Sequence, residues 1–388
     1  MRISLIATLA AVVLVTGALP ATAGWDEGVA AFTSKNFETA AAEFQTVVDQ
    51  NPDGFRGHYM LGASLRRLGR KEEAVNHLRK AYDLNPNDLS IQLELGNTYY
   101  SLRRHRDVAG LLGKLDASKL PASHRASLYQ IRGQSRLKTD NVDGAFSDFQ
   151  ALAKLQPKNA DVHFLLGSVA LKADRIDSAI TSLGNAVRLD GSDVEKKRTY
   201  ANALIKKGRM SRDKTAKKTS YLKAAELAGE IVAQDASFEN LILKVSAELG
   251  AGLFDKAAAT GERAQKVNPN DWIVPFYIGQ AYTSSGKFTQ AEPALKKALE
   301  LVKKPNDQKT IWKQLGFAYE KQKKYADSIS AYQNAGDQAG VARVQENQKT
   351  AQFNEQVEAE NAQIKAMEEE AKRLEDELKK LEGGGGTP

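Results

Sequence analysis

A glycine recurs in the apolar stretches of this chain at a near-constant interval. Gly28, Gly62 and Gly96 stand 34 residues apart, Gly133 follows 37 later, and Gly167 another 34. The next step of 34 reaches Ala201, also small, and a step of 44 reaches Val245. Gly279 and Gly316 follow at 34 and 37. Nine units therefore share one phase. Self-similarity of this kind constrains the fold strongly, because each repeat is one supersecondary unit that buries its apolar face only against its neighbours.

Other positions keep the same phase. Twelve residues after the marker stand Ala40, Ala74, Ala145, Ala179, Ala257, Ala291 and Ser328. Sixteen after it stand Phe44, Leu78, Leu112, Phe149, Leu183, Leu295 and Tyr332. Pro52, Pro86, Pro157 and Pro269 come 24 after it, with Pro121 and Pro305 one or two residues late. This pattern resembles the tetratricopeptide repeat (TPR) family from about Gly24 to about Gly340. It is clearest in units two, five, eight and nine and degenerate in units six and seven.

The resemblance implies an all-α, right-handed superhelical solenoid of about nine helix-turn-helix units. Gly316 and Ser328 are small where the two helices of a unit cross. Trp312, Leu315, Tyr319 and Tyr332 fill the space beside the crossing. A mid-helix glycine costs about 1 kcal/mol, which the close approach must return. Proline ends the second helix because it cannot donate a hydrogen bond and clashes one turn back. These residues build the repeat and carry no chemistry.

The first 23 residues stand outside that pattern. Arg2 precedes an uncharged apolar run, and Ala21-Thr22-Ala23 forms an A-x-A site. This is a secretory signal peptide with Gly24 as the mature N-terminus; the alternative is an uncleaved membrane anchor. The chain has no cysteine, which excludes disulfides, thiolate zinc sites and a cysteine nucleophile. A short one-arginine leader without cysteine suggests export in a bacterium, with the periplasm as destination.

The net charge of +7 is local. Lys196–Lys223 holds eleven basic residues and one acid, leaving −3 for the rest. The same window contains the long step of 44, so we expect a projecting basic loop over 206–218, carrying Lys206, Lys207, Arg209, Arg212, Lys214, Lys217 and Lys218. Loops that break a repeat's period often mark a binding face. An anionic surface or polymer would suit it; a merely solvated insertion is the alternative. No nucleic acid is expected, because aromatics for base stacking are not interleaved.

After Gly340 the repeat ends. Ile364, Met367, Ala371, Leu374, Leu378 and Leu381 step by 3 and 4, the seam of a short coiled coil. We expect residues 341–382 to cap the last repeat near Val341–Phe353 and then to project, with homo-oligomerisation through the seam. A flexible tail is expected over 383–388.

Catalytic patterns are scarce in the sequence. The five histidines, His58, His77, His105, His124 and His163, include no H-x-x-x-H pair. Gly286-Lys287 lacks the following Ser or Thr of a phosphate loop and falls at an inter-helix turn. Nine units fill the span from Gly24 to Gly340, leaving no room for a catalytic domain. No cofactor, no metal and no enzyme activity are expected.

The resemblance further implies a groove lined by the first helix of each unit. Its matching positions here include Tyr59, Arg66, Asn97, Tyr100, Gln134 and Phe164. Arg198, Asn202, Lys206, Phe276 and Gln280 continue it. Such a lining suits an extended peptide or partner helix. Arg198, Asn202 and Lys206 resemble the start of a carboxylate clamp, but Leu243 stands where its next asparagine belongs. The expected function is a non-catalytic scaffold or adaptor for other proteins in the bacterial envelope. Alternatives are an accessory subunit of an envelope enzyme or export complex, and a binder of an anionic envelope polymer.

Overall fold

The computed structural model describes residues 24–383; the expected leader and the last five residues lie outside them. The chain divides into two compact units between Ala203 and Leu204. Among the described residues the regular structure is entirely helical.

The N-terminal part is a run of helical hairpins. They are α1 (Trp25–Thr33) with α2 (Phe37–Gln50), α3 (Phe55–Arg67) with α4 (Lys71–Leu84), and α5 (Leu89–Ser101) with α6 (His105–Leu112). Then come α7 (Ala122–Lys138) with α8 (Val142–Leu155), α9 (Ala160–Lys172) with α10 (Ile176–Leu189), and the opening of α11 (Val194–Met210). The C-terminal part begins with the end of α11. It continues through α12 (Lys214–Gln234), α13 (Phe238–Ala251), α14 (Phe254–Val267), α15 (Ile273–Ser284) and α16 (Phe288–Leu301). It closes with α17 (Pro305–Lys321), α18 (Tyr325–Ala335) and the long α19 (Gln338–Gly383).

The marker glycines are explained by the side chain sixteen residues on. A Cβ at Gly62 would lie 2.6 Å from Leu78 Cγ and 3.1 Å from the Ala74 carbonyl oxygen. At Gly167 and Gly279 it would lie 2.6 Å from Cγ of Leu183 and Leu295. Those three leucines are completely buried. The alanines at the twelfth position are equally buried, and Ser328 there donates its hydroxyl to the Gly316 carbonyl at 2.8 Å. A small residue on each helix thus admits one large side chain between them.

Every hairpin except α11–α12, where that position falls inside α11, turns through a left-handed residue seven after the marker. It is glycine at Gly69, Gly252 and Gly286, but Lys35, Arg103, Asp140, Asp174 and Lys323 elsewhere, with φ between 56° and 66°. A non-glycine residue there costs about 1–2 kcal/mol. The helix ends are tied as well. Pro52, Pro86 and Pro157 follow the ends of α2, α4 and α8, and their carbonyls accept from His58 (2.9 Å), Gln92 (2.6 Å) and His163 (3.0 Å), each six residues on. Pro121 and Pro305 act differently. They open α7 and α17 rather than ending the helix before, as proline's fixed φ allows.

The 37-residue step before Gly133 corresponds to a short α6 followed by a connection that holds one 3-10 turn, Ala117–Lys119. Two arginines of α7 satisfy its carbonyls. Arg132 donates to Leu112 O (3.2 Å) and Leu115 O (2.9 Å), and Arg136 to Gly113 O (2.9 Å). Both also reach Asp148 of α8, at 2.7 and 2.8 Å, where that carboxylate is 2% exposed.

The step of 44 is not a projecting loop. The surplus residues lengthen the helices: α11 has 17 residues, α12 has 21, and only residues 211–213 connect them. Asp213 caps α12 by accepting from Ala216 N at 2.6 Å, so no long connection is needed. In the C-terminal part Tyr221 of α12 occupies space left by two glycines. A Cβ at Gly208 would meet its ring at 2.6 Å and one at Gly250 at 2.2 Å. The next hairpin exchanges its sizes: Val245, fully buried, stands at the marker position, and Gly261 stands sixteen later.

The first turns of α19 cover the last hairpin. Val341 and Val344 are buried against Tyr332, and Glu320 accepts from Arg343 (2.8 Å) and Asn347 (3.0 Å). Phe353, expected within the cap, is 64% exposed.

Candidate functional site

The groove positions of the N-terminal part are largely spent on neighbouring repeats. Arg66 Nε lies 2.6 Å from Glu94, and Arg67 pairs with the same carboxylate at 3.0 Å. Tyr59 is half-buried beside them, its hydroxyl pushed up by burial and then by Glu94. Asn97 donates to Leu93 O at 2.9 Å, and its side-chain oxygen accepts from Ser127 at 3.5 Å. Tyr100 donates to Gln134 of α7, in the next hairpin. These residues are brought together, but as stitching between hairpins.

Phe164 lies under an ammonium. Lys196 Nζ sits 5.9 Å from its ring centre and within 3.1 Å of Asp161, Asp190 and Asp193. Burial opposes the charge, but three carboxylates outweigh it and raise the lysine above its ordinary value. Hydrogen bonds from Lys196 hold Asp190 and Asp193 below theirs. Lys196 and Lys197 are each only 5% exposed, so two of the eleven bases counted over Lys196–Lys223 add little to a basic surface. Aspartates three and six residues before a lysine were the available signal. Arg198 pairs with Glu195 at 2.9 Å, while Asn202 is exposed.

In the C-terminal part Phe276 packs 5.9 Å from Trp272 and 6.0 Å from Tyr277, and Gln280 is half-buried. A cavity of about 510 Å³ lies among α12, α13 and α14, lined in part by Leu222, Lys244, Glu248, Thr260 and Arg263. Glu248 is 3% exposed and its Oε2 has no hydrogen-bond partner. Burial raises its carboxyl; the Thr260 hydroxyl and Lys244 ammonium pull the other way.

The basic residues gather at the tip of the α11–α12 hairpin. Lys206, Arg209, Arg212, Lys214, Lys217, Lys218 and Lys223 are exposed and Lys207 is half-buried. The first turns of α12 carry Lys214, Lys217 and Lys218, with no acid in the first turn. Cations there oppose the helix macrodipole, which favours anions at an N-terminus. Met210 (56%) and Leu222 (40%) are exposed beside them. At the far end of the chain Ile364, Met367, Leu374 and Leu378 are each about half exposed or more, with Ala371 exposed between them. Leu381 continues that register by sequence.

No group of three or more His, Asp or Glu side chains among the described residues is disposed to hold a metal. No described helix is long and apolar enough to cross a membrane.

Known proteins resemble parts of this chain. Anaphase-promoting complex subunit 3 of Schizosaccharomyces pombe is 23% identical over 159 residues, 41% of this chain and 23% of that protein. Protein FlbA of Caulobacter vibrioides is 28% identical over 191 residues, 45% of this chain and 32% of that protein. The chain thus spans less than a third of the length of these relatives. The solved structure of MamA from Desulfovibrio magneticus is 16% identical and covers 46% of this chain and 94% of that one, with a TM-score of 0.38. A tetratricopeptide repeat model matches residues 26–89, 59–107, 132–194, 242–308 and 278–340. These matches take in more than half of the residues and fall on the hairpins described above, so the chain belongs to the tetratricopeptide repeat family.

Proposed function

We propose that this protein is a non-catalytic adaptor that holds other proteins together in a bacterial envelope, reached through cleavage of its leader after Ala23. Partners engage the tip of the α11–α12 hairpin through an acidic surface. One observation carries this reading: behind the capping Asp213 the first turns of α12 expose Lys214, Lys217 and Lys218, where the macrodipole disfavours cations. The tip adds exposed Met210 and Leu222, which give a protein partner apolar area that a polymer of bare charge would not use. The naming of the yeast relative as a subunit of a complex agrees with the adaptor role. In the C-terminal part Phe276 and Gln280 offer a secondary surface for an extended peptide or helix.

The test is a pull-down from envelope extract with the chain beginning at Gly24. Three baits are compared: intact, ended after Gly340, and with Lys206, Lys207, Arg209, Arg212, Lys214, Lys217 and Lys218 neutralised. A protein retained by the intact bait and lost on neutralisation supports the adaptor. Retention of lipid or cell-wall material alone, released by salt, replaces it with an anionic-polymer binder. Enrichment of an enzyme whose rate changes with the bait present assigns the accessory-subunit role.

A further inference from the structure

The seam of α19 has a charge arrangement that its apolar steps alone do not reveal. With Ile364, Ala371 and Leu378 at the first core position and Met367, Leu374 and Leu381 at the second, the flanking positions between Ile364 and Leu381 are Glu368, Glu370, Glu375 and Glu377. The basic residues Lys365, Lys372, Arg373, Lys379 and Lys380 all fall on the outer side. Flanking charges set partner choice and orientation in a coiled coil. In a parallel pair of identical helices Glu370 would face Glu375 of the other copy. In an antiparallel pair glutamates would again face glutamates. Both registers set like charges against each other beside a shallow seam, narrowed by Ala371.

Two of these carboxylates have partners within the helix. Lys379 lies 2.9 Å from Glu375 and Arg373 lies 3.6 Å from Glu377, yet the carboxylate side chains remain 66% and 56% exposed. Exposed pairs of this kind are weakly held and screened by solvent, so both carboxylates stay open to another cation. We infer that the seam binds the helix of a different protein, one with Lys or Arg on both sides of an apolar heptad seam, in preference to a second copy of itself. Apolar burial between the seams provides the attraction, and the four glutamates select the partner by charge. This surface is distant in sequence from the hairpin tip, so the failure of either reading leaves the other standing.

The test uses the chain from Gly24 and two labelled synthetic peptides with the same Ile/Leu seam. One carries Lys at every flanking position and the other Glu. Fluorescence anisotropy is expected to give binding of the Lys-flanked peptide about tenfold tighter or better in low salt. The preference should shrink as salt rises. Sedimentation of the chain alone should show a monomer at the same concentrations. Replacing all four flanking glutamates by Lys should reverse the preference, and Ile364→Asp with Leu374→Asp should abolish binding of either peptide. Circular dichroism would verify that these variants keep their helix; if one does not, the two peptides compared on the unaltered chain decide. Equal binding of the peptides, binding of neither, or self-association tighter than binding of the Lys-flanked peptide would overturn the inference.

Discussion

A methyl group added at Gly62 would stand 2.6 Å from Leu78 Cγ and 3.1 Å from a backbone oxygen, so the hairpin must open to admit it. Overpacking of this kind costs about 1–3 kcal/mol, against about 1 kcal/mol gained in helix propensity. Gly62→Ala should therefore lower stability in chemical denaturation. Gly229 in α12 has nothing within 4 Å of the same added carbon. There Gly229→Ala should raise stability by about 1 kcal/mol. Opposite signs from one chemical change would separate glycines required for packing from those that are not. Glu248 gives a pH test. Its folded pKa lies above its unfolded value, so ionisation costs stability at neutral and basic pH, and the cost disappears as pH falls through the folded value. Glu248→Gln should raise the melting temperature at about pH 8 and give no gain at about pH 4.

At the scale of elements, α6 depends on residues of other helices. Asp148 is 2% exposed and receives Arg132 and Arg136, which in turn hold the carbonyls after α6. Asp148→Ala leaves two largely buried guanidinium groups without their carboxylate and should cost about 3–5 kcal/mol, measured by urea denaturation. Hydrogen exchange should show α6 and residues 113–121 opening first.

The hairpins were legible in the sequence because each requires small and large residues at fixed offsets, and Gly62 with Leu78 shows why. The Arg132–Asp148–Arg136 cluster was not, since Asp148 stands on another helix and the remaining acceptors are backbone carbonyls that carry no residue identity. The form of the α11–α12 hairpin was also missed. Surplus residues in a repeat read as a loop, but helices can lengthen when their exposed tip needs no apolar pattern and Asp213 supplies a cap. Of the interaction surfaces, charge at the tip was legible, and Asp190 and Asp193 hinted at a pairing of Lys196, but its third partner Asp161, 35 residues earlier, was not.

At the scale of the whole molecule, stability rests on contacts between adjacent hairpins, and the last hairpin needs a cover. A chain ended after Gly340 loses buried Val341 and Val344 and the Arg343 pair with Glu320. It should lose about 3 kcal/mol of local stability, seen as faster proteolysis in α18. A chain ended after Asn347 keeps those contacts and should match the full chain in the same assay.

The exposed remainder of α19 has a geometric consequence. At 1.5 Å per residue, the helix from Asn347 to Leu374 is about 40 Å long. A partner gripped near Leu374 would be held off by that distance from whatever occupies the last hairpin. The helix then works as a spacer whose length is written in residue count. Deleting whole heptads would shorten the gap in steps of about 10 Å while keeping the same face turned outward.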